Sequence, residues 1–168
     1  AFSFGGLQAL HGYDIDILLT PDPLSLDTIA YTPVFEYEQV LVMDKHHPLA
    51  DKPFIKPQDL SNETLITYPV ELSRLDIFTH FLTPANCTVR QHKTIETTEI
   101  ILQMVAAGRG VTALPKWLID ESKERDLLTY RSLGEVGVSK TLYLGHRKAQ
   151  DVLGFVDDFI ALSQANKP

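Results

Sequence analysis

Three short stretches carry polar side chains suited to holding a small ligand: Thr20-Pro21-Asp22, Tyr68-Pro69 running on to Ser73-Arg74, and Thr94-Ile95-Glu96-Thr97-Thr98. Asp22 or Glu96 suits an ammonium group. Arg74 suits a carboxylate, because charge-assisted bonds are the strong ones. A helix opening at Thr97 and Thr98 adds unpaired N–H donors and the positive end of the helix dipole, which together hold an anion. Tyr68, Phe35 and Leu114 offer an apolar wall beside these groups. For Ser73, Thr97 and Thr98, helix capping explains the residue type as well as ligand contact does, and one residue can do both.

Other chemistries find little support. The six histidines include no His-Glu-x-x-His pattern and no pair spaced to share a helical face as ligands. His46 and His47 are adjacent, so in an extended segment they point to opposite sides and read as solvated loop residues. Cys87 has no helix start just after it to lower its pKa, and reads as a partly buried turn thiol. A Gly-x-Ser-x-Gly elbow is absent, and Gly108-Arg109-Gly110 is too short for a phosphate-binding loop. Neither a catalytic residue, nor a metal site, nor a cofactor is expected.

The elements that must position the three stretches alternate between strand and helix. Tyr13–Thr20 becomes continuously apolar, as a strand covered on both faces does, and stops at Pro21-Asp22-Pro23. Val40–Met43, Leu65–Tyr68, Gly110–Leu114 and Thr141–Leu144 are further short strand candidates. Ser73-Arg74-Leu75-Asp76 is an approximate capping box opening a helix to about Leu82. From Thr97 to Ala107 the apolar positions Ile100, Ile101, Met104 and Val105 recur at helical spacing, and Gly108 supplies the stop. Pro115 leads into a helical Trp117-Leu118-Ile119. A last helix from about Gln150 to Leu162 places Val152, Val156, Phe159 and Ile160 on one stripe. Pro48–Gln58 reads as a surface loop rather than a linker. This alternation argues for an α/β fold with mainly parallel sheets, in which ligands favour the crevice beyond the carboxyl ends of strands.

Composition bounds the partners. The 168 residues carry 15 basic and 22 acidic side chains, a formal charge of −7, with 44% hydrophobic residues. That is an ordinary globular chain, long enough to bury roughly two-thirds of its unfolded surface. An acidic body repels the phosphate backbone, so this segment alone is a poor nucleic-acid binder. No apolar run approaches the ~20 residues a membrane span needs, and no membrane partner is expected. One cysteine excludes an internal disulfide framework and suits a reducing, cytoplasmic compartment.

The run from Gln103 to Pro115, Gln-Met-Val-Ala-Ala-Gly-Arg-Gly-Val-Thr-Ala-Leu-Pro, resembles the signature in the effector-binding domain of LysR-type transcriptional regulators. Tyr13-Asp14-Ile15-Asp16-Ile17, His47-Pro48-Leu49-Ala50 and Lys56-Pro57-Gln58-Asp59-Leu60 resemble further stretches of that domain, in family order. The resemblance runs from about Leu7 to Phe159. It implies two Rossmann-like lobes of the type II periplasmic-binding-protein kind, joined by crossover strands. Subdomain I would be about 1–38 plus about 136–168, and subdomain II about 39–135. It also implies a homodimer or tetramer, with Tyr13–Leu19 and Leu7–His11 at the contact. DNA would be met only through a winged helix-turn-helix that nothing here resembles. The family's first strand and helix also lack a counterpart, so the first lobe is expected to be incomplete at its amino end.

A narrower likeness lies in Tyr68-Pro69-Val70, Ser73-Arg74-Leu75-Asp76, His80-Phe81-Leu82, Pro84-Ala85 and Thr98. It is to the branch of the family governing methionine biosynthesis, whose co-inducer is homocysteine. It implies a small amino-acid effector with an ammonium, a carboxylate and a short thiol side chain, bound between the lobes. From the residues themselves, Thr20, Asp22, Tyr68, Ser73, Arg74, Glu96, Thr97 and Thr98 are the candidates to hold it, with the thiol against the apolar wall. A periplasmic-type solute-binding protein is the alternative, and an enzyme of amino-acid metabolism on the same scaffold is a third.

Overall fold

A computed structural model of the chain describes residues 6–24, 26–148 and 154–165. The chain divides into two units: Glu38–Ser139, and Phe2–Tyr37 together with Lys140–Pro168. It passes from one to the other within the strands β2 and β7 defined below.

In the second unit, α1 (Gly6–His11) is followed by β1 (Ile17–Thr20). The expected strand is therefore shortened by four residues. Tyr13 adopts φ 64, and the amides of Gly12 and Asp14 return to Gln8 and Ala9 carbonyls, so residues 12 to 16 close the helix instead of extending. β1 is also not covered on both faces, since Leu19 is 51% exposed. It pairs antiparallel with β7 (Val138–Arg147), Ile17 opposite His146 and Thr20 opposite Tyr143. β7 in turn neighbours β2 (Ile29–Asp44). Leu10, Ile29, Val34, Leu144 and Val156 are buried here. The helix α4 (Gly154–Ala165) keeps Val156 buried and Ile160 half-buried but leaves Phe159 39% exposed, so Phe159 is not on the buried stripe. Gln150 and Val152 of the expected helix lie outside the described residues.

The first unit is built around the carboxyl half of β2. Val40 and Val42 face one apolar cluster with Ile66, Ile101, Leu102, Val105 and Leu114. Leu41 and Met43 face the other, with Leu60, Leu65, Ile77 and Leu82. A strand apolar on both faces needs no alternation, which is why the run Val40–Met43 is continuous. β2 pairs antiparallel with β5 (Thr112–Pro115) and β6 (Leu128–Ser132). β3 (Thr64–Thr67) pairs parallel with β4 (Gln91–Thr94), Leu65 opposite His92 and Thr67 opposite Thr94. The described strand pairs are thus mixed rather than mainly parallel, because β2 runs against β5 and β6 and β7 runs against β1. Pro48–Gln58 belongs to this unit's body, with Leu49, Ala50 and Ile55 in the core and 3-10 turns at Pro48–Asp51 and Pro57–Asn62.

The helix α2 (Thr98–Ala106) buries Ile101, Leu102 and Val105, each worth about 1.5–3 kcal/mol on complete burial. Ile100 was expected on that face but is 47% exposed. At 100° per residue it falls beside the 101–105 stripe, and Leu102 takes the place instead. Gly108, φ 67, ends the helix: its amide returns to Val105 and that of Arg109 to Met104, both at 2.9 Å, a Schellman closure. A short helix α3 (Lys116–Asp120) follows, with Pro115 at its N-cap. The helix expected from Ser73 to Leu82 is broken up. A 3-10 turn at Leu72–Arg74 precedes a π-helical turn at Ile77–Leu82.

Candidate functional site

The site is assembled in the first unit from the ends of β3 and the start of α2. Pro69 holds Tyr68 in the extended region, as the residue before proline requires. The Tyr68 carbonyl then accepts the Val70 amide at 2.9 Å and the Thr67 hydroxyl at 3.1 Å. These bonds fix a tight turn that carries the phenol across to α2. There the Tyr68 hydroxyl lies 2.7 Å from Thr98 Oγ1. With Tyr68 as donor, the Thr98 hydroxyl keeps its own proton for an acceptor. Burial raises the Tyr68 pKa and the nearby Glu99 carboxylate adds to this, while the bond to Thr98 opposes them. The phenol is therefore held as a neutral donor.

Thr97 is the extended N-cap of α2, φ −109 and ψ 126, and its side chain makes no capping bond. Thr97 is thus not spent on capping, and among the described residues no side chain accepts from the amides of the first turn. Glu96 and Thr97 are exposed, and Thr98 is half-buried. Ser73 and Arg74 lie exposed in the 3-10 turn. The anticipated capping box is not formed. Asp76 instead pairs with His80 at 3.1 Å and is itself buried. Among the described residues Arg74 has no acidic partner.

The structure brings Tyr68 and Thr98 into direct contact and gives Thr20 and Asp22 a local role in the second unit. The Asp22 amide donates to Thr20 Oγ1 at 3.1 Å, closing the turn after β1. The Asp22 carboxylate is 2.9 Å from Lys140 Nζ. Phe35 is half-buried in the second unit. Leu114, 2% exposed, is a core residue of α2's cluster and lines no open wall.

Sequence reasoning missed His92 and Lys140. Lys140 is 118 residues from Asp22, and no local signal links them. His92 sits in a polar strand, Gln-His-Lys-Thr, that carries no apolar alternation. Its Nε2 lies 2.7 Å from Thr67 Oγ1, and its ring meets Phe78 edge-on at 5.1 Å. Burial lowers its pKa. Among the described residues no three His, Cys, Asp or Glu side chains come together as a metal site, and no helix is long and apolar enough to cross a membrane. Cys87 is a half-buried thiol donating to the Ala85 carbonyl at 3.4 Å.

Comparison with known proteins accords with this architecture. The model of the LysR substrate binding domain matches residues 3–167. The chain is 38% identical to the HTH-type transcriptional regulator MetR of Escherichia coli K12, over 94% of the chain and 49% of that protein. It is 37% identical to MetR of Salmonella typhimurium over the same shares. It therefore spans about half the length of these relatives. The regulatory domain of MetR from N. meningitidis, a LysR family regulator, superposes with a TM-score of 0.80 at 28% identity, over 97% of this chain and 78% of that one. The fold is accordingly α/β, of the type II periplasmic-binding kind with crossover strands. Matched from end to end by the family's own model and so similar to named members, the chain belongs to the LysR substrate-binding domain family.

Proposed function

We propose that this chain is the effector-sensing part of a LysR-type regulator of methionine biosynthesis, and that its effector is a small amino acid of the homocysteine kind. The observation that carries the reading is the 2.7 Å contact of Tyr68 and Thr98 at the opening of α2. It sets two hydroxyls at the start of α2, where the N-cap Thr97 side chain makes no capping bond, in a chain similar to MetR proteins. The effector carboxylate sits at this helix start, with Arg74 as the available cation and Ser73 and Thr97 beside it. Glu96 takes the ammonium. Asp22 is the less suited of the two acids, because it would have to leave Lys140, and Thr20 already closes its own turn.

In the whole regulator the domain acts as a homodimer or tetramer in the cytoplasm, meets DNA only through a separate winged helix-turn-helix, and turns over no substrate. The effector controls transcription by its differential affinity for two arrangements of the protein, since a ligand can shift an equilibrium by no more than that. Isothermal titration of this chain with homocysteine, methionine and cysteine tests the effector. Tighter binding of homocysteine is expected, and equal or absent heats would overturn the assignment.

A further inference from the structure

Behind the Tyr68 turn lies a chain of hydrogen bonds that local helix and strand formation does not require. The Thr67 side chain donates to the Tyr68 carbonyl at 3.1 Å, and the same oxygen lies 2.7 Å from His92 Nε2. A hydroxyl has one proton. When Thr67 gives it to the Tyr68 carbonyl, His92 donates to Thr67 from a protonated Nε2, and when the ring carries its proton on Nδ1, Nε2 accepts from Thr67. The surroundings keep the ring in place: Leu65 is opposite His92 in the β3–β4 register, and Phe78 meets the ring edge-on at 5.1 Å. Thr67 itself is 5% exposed, so without His92 its hydroxyl would lose a partner where water has little access.

The Tyr68 carbonyl closes the turn to Val70 as well, so the rotamer of Thr67 bears on the direction of the whole residue. A strand register alone would not specify that direction to the fraction of an ångström that a 2.7 Å hydroxyl contact with Thr98 demands.

We propose that His92 is a positioning residue for the effector site, acting through Thr67 on the Tyr68 carbonyl and so on the phenol that meets Thr98. It touches no effector. The inference rests on the reading of Tyr68 and Thr98 as effector contacts. It adds a specificity element from the polar strand β4, whose sequence gives no hint of one.

The test compares His92→Leu, which can neither donate nor accept, with His92→Gln, whose side-chain amide can do either near the position of Nε2. Thr67→Val, close to Thr in volume, is the second route should His92→Leu fold poorly. Two readouts are taken on this chain: the carbon-13 resonance of the Tyr68 ring carbon bearing oxygen, and the affinity for homocysteine. His92→Leu and Thr67→Val are expected to shift the Tyr68 resonance and weaken binding by about tenfold, the scale of one displaced hydrogen bond. His92→Gln should restore both to near the parent values. An unmoved Tyr68 resonance in His92→Leu and Thr67→Val, or a His92→Gln variant as impaired as His92→Leu, would overturn the proposal. If no variant binds homocysteine yet the resonance follows the hydrogen bond to Thr67 as described, the positioning role stands and the effector assignment falls.

Discussion

Tyr68 and Thr98 lie thirty residues apart in the chain, and their hydroxyls meet at 2.7 Å, tying the turn after β3 to the first turn of α2. The Tyr68 phenol is thereby engaged by Thr98 and does not simply fill a wall. Thr98 does not cap its helix because it is the first helical residue, one past the N-cap Thr97. The bond also joins two elements anchored in the same apolar cluster, where Ile66 of β3 packs with Ile101, Leu102 and Val105 of α2. A small shift in either element is thus felt at the site.

His92 gives the fold a pH dependence of known sign. Burial lowers its pKa below 6.5, so the unfolded chain takes a proton that the folded chain refuses. The stability this confers is complete above pH 6.5 and is lost as the pH falls through the folded value. Urea unfolding should show a lower midpoint at pH 5 than at pH 7.5, and His92→Gln should flatten that difference. Asp59 acts in a lower window. Its burial alone would raise its pKa, but bonds from Lys52 and the Lys56 amide, with their charges, bring the net shift below 3.8. Its contribution is retained above 3.8 and lost only as the pH drops through the lowered value. An equal midpoint shift in parent and His92→Gln would exclude His92 as the source.

Much of this arrangement was legible in the sequence, and the failures are physical. The Gly108 stop and the α2 core face followed from spacing, because a Schellman closure and a 3.6-residue period are local. Ile100 was misassigned because one residue at 100° moves a side chain from core to solvent. The helix from Ser73 failed because Asp76 was taken by His80 instead of a backbone amide. β4 and β6 left little trace, since strands with polar faces are specified by partners far away in sequence. The pairing of Tyr68 with Thr98 is likewise tertiary: both residues could be singled out in advance, but their contact could not.

Arg147 shows the same limit. It is 6% exposed and donates to the carbonyls of Leu10 and Ile15, reaches Asp16 Oδ1 at 2.6 Å, and lies 4.2 Å over the ring of Tyr13. These contacts hold the left-handed turn that ends α1. Arg147→Ala should cost about 2–4 kcal/mol in urea unfolding, because it removes a buried cation's bonds to the Leu10 and Ile15 carbonyls together with its packing on Tyr13. Amide exchange at Gly12 and Asp14 should rise with it. A loss under ~1 kcal/mol would show that α1 is held by other means.

The two glycines around Arg109 should respond differently to alanine. A side chain at Gly110 would place its Cβ 2.4 Å from the Thr64 carbonyl oxygen, where the Val111 amide and Thr64 join β5 to β3. Backbone cannot yield there cheaply, so Gly110→Ala should cost more than ~3 kcal/mol or prevent folding. Gly108 has open space and φ 67, and Gly108→Ala should cost about 1–2 kcal/mol from the left-handed conformation alone. Thermal denaturation of both variants checks the order, and equal losses would contradict it.

The measurement that bears most directly on the effector reading is the melting temperature and the homocysteine affinity of Thr98→Ala, taken on the same preparation. Thr98 makes no cap, so stability should fall by only the ~1 kcal/mol of one hydrogen bond. If Thr98 is an effector contact as proposed, affinity should fall by about tenfold or more, because its hydroxyl and the alignment of Tyr68 are lost together. A lowered melting temperature with unchanged affinity would leave Thr98 as a structural contact and contradict the site.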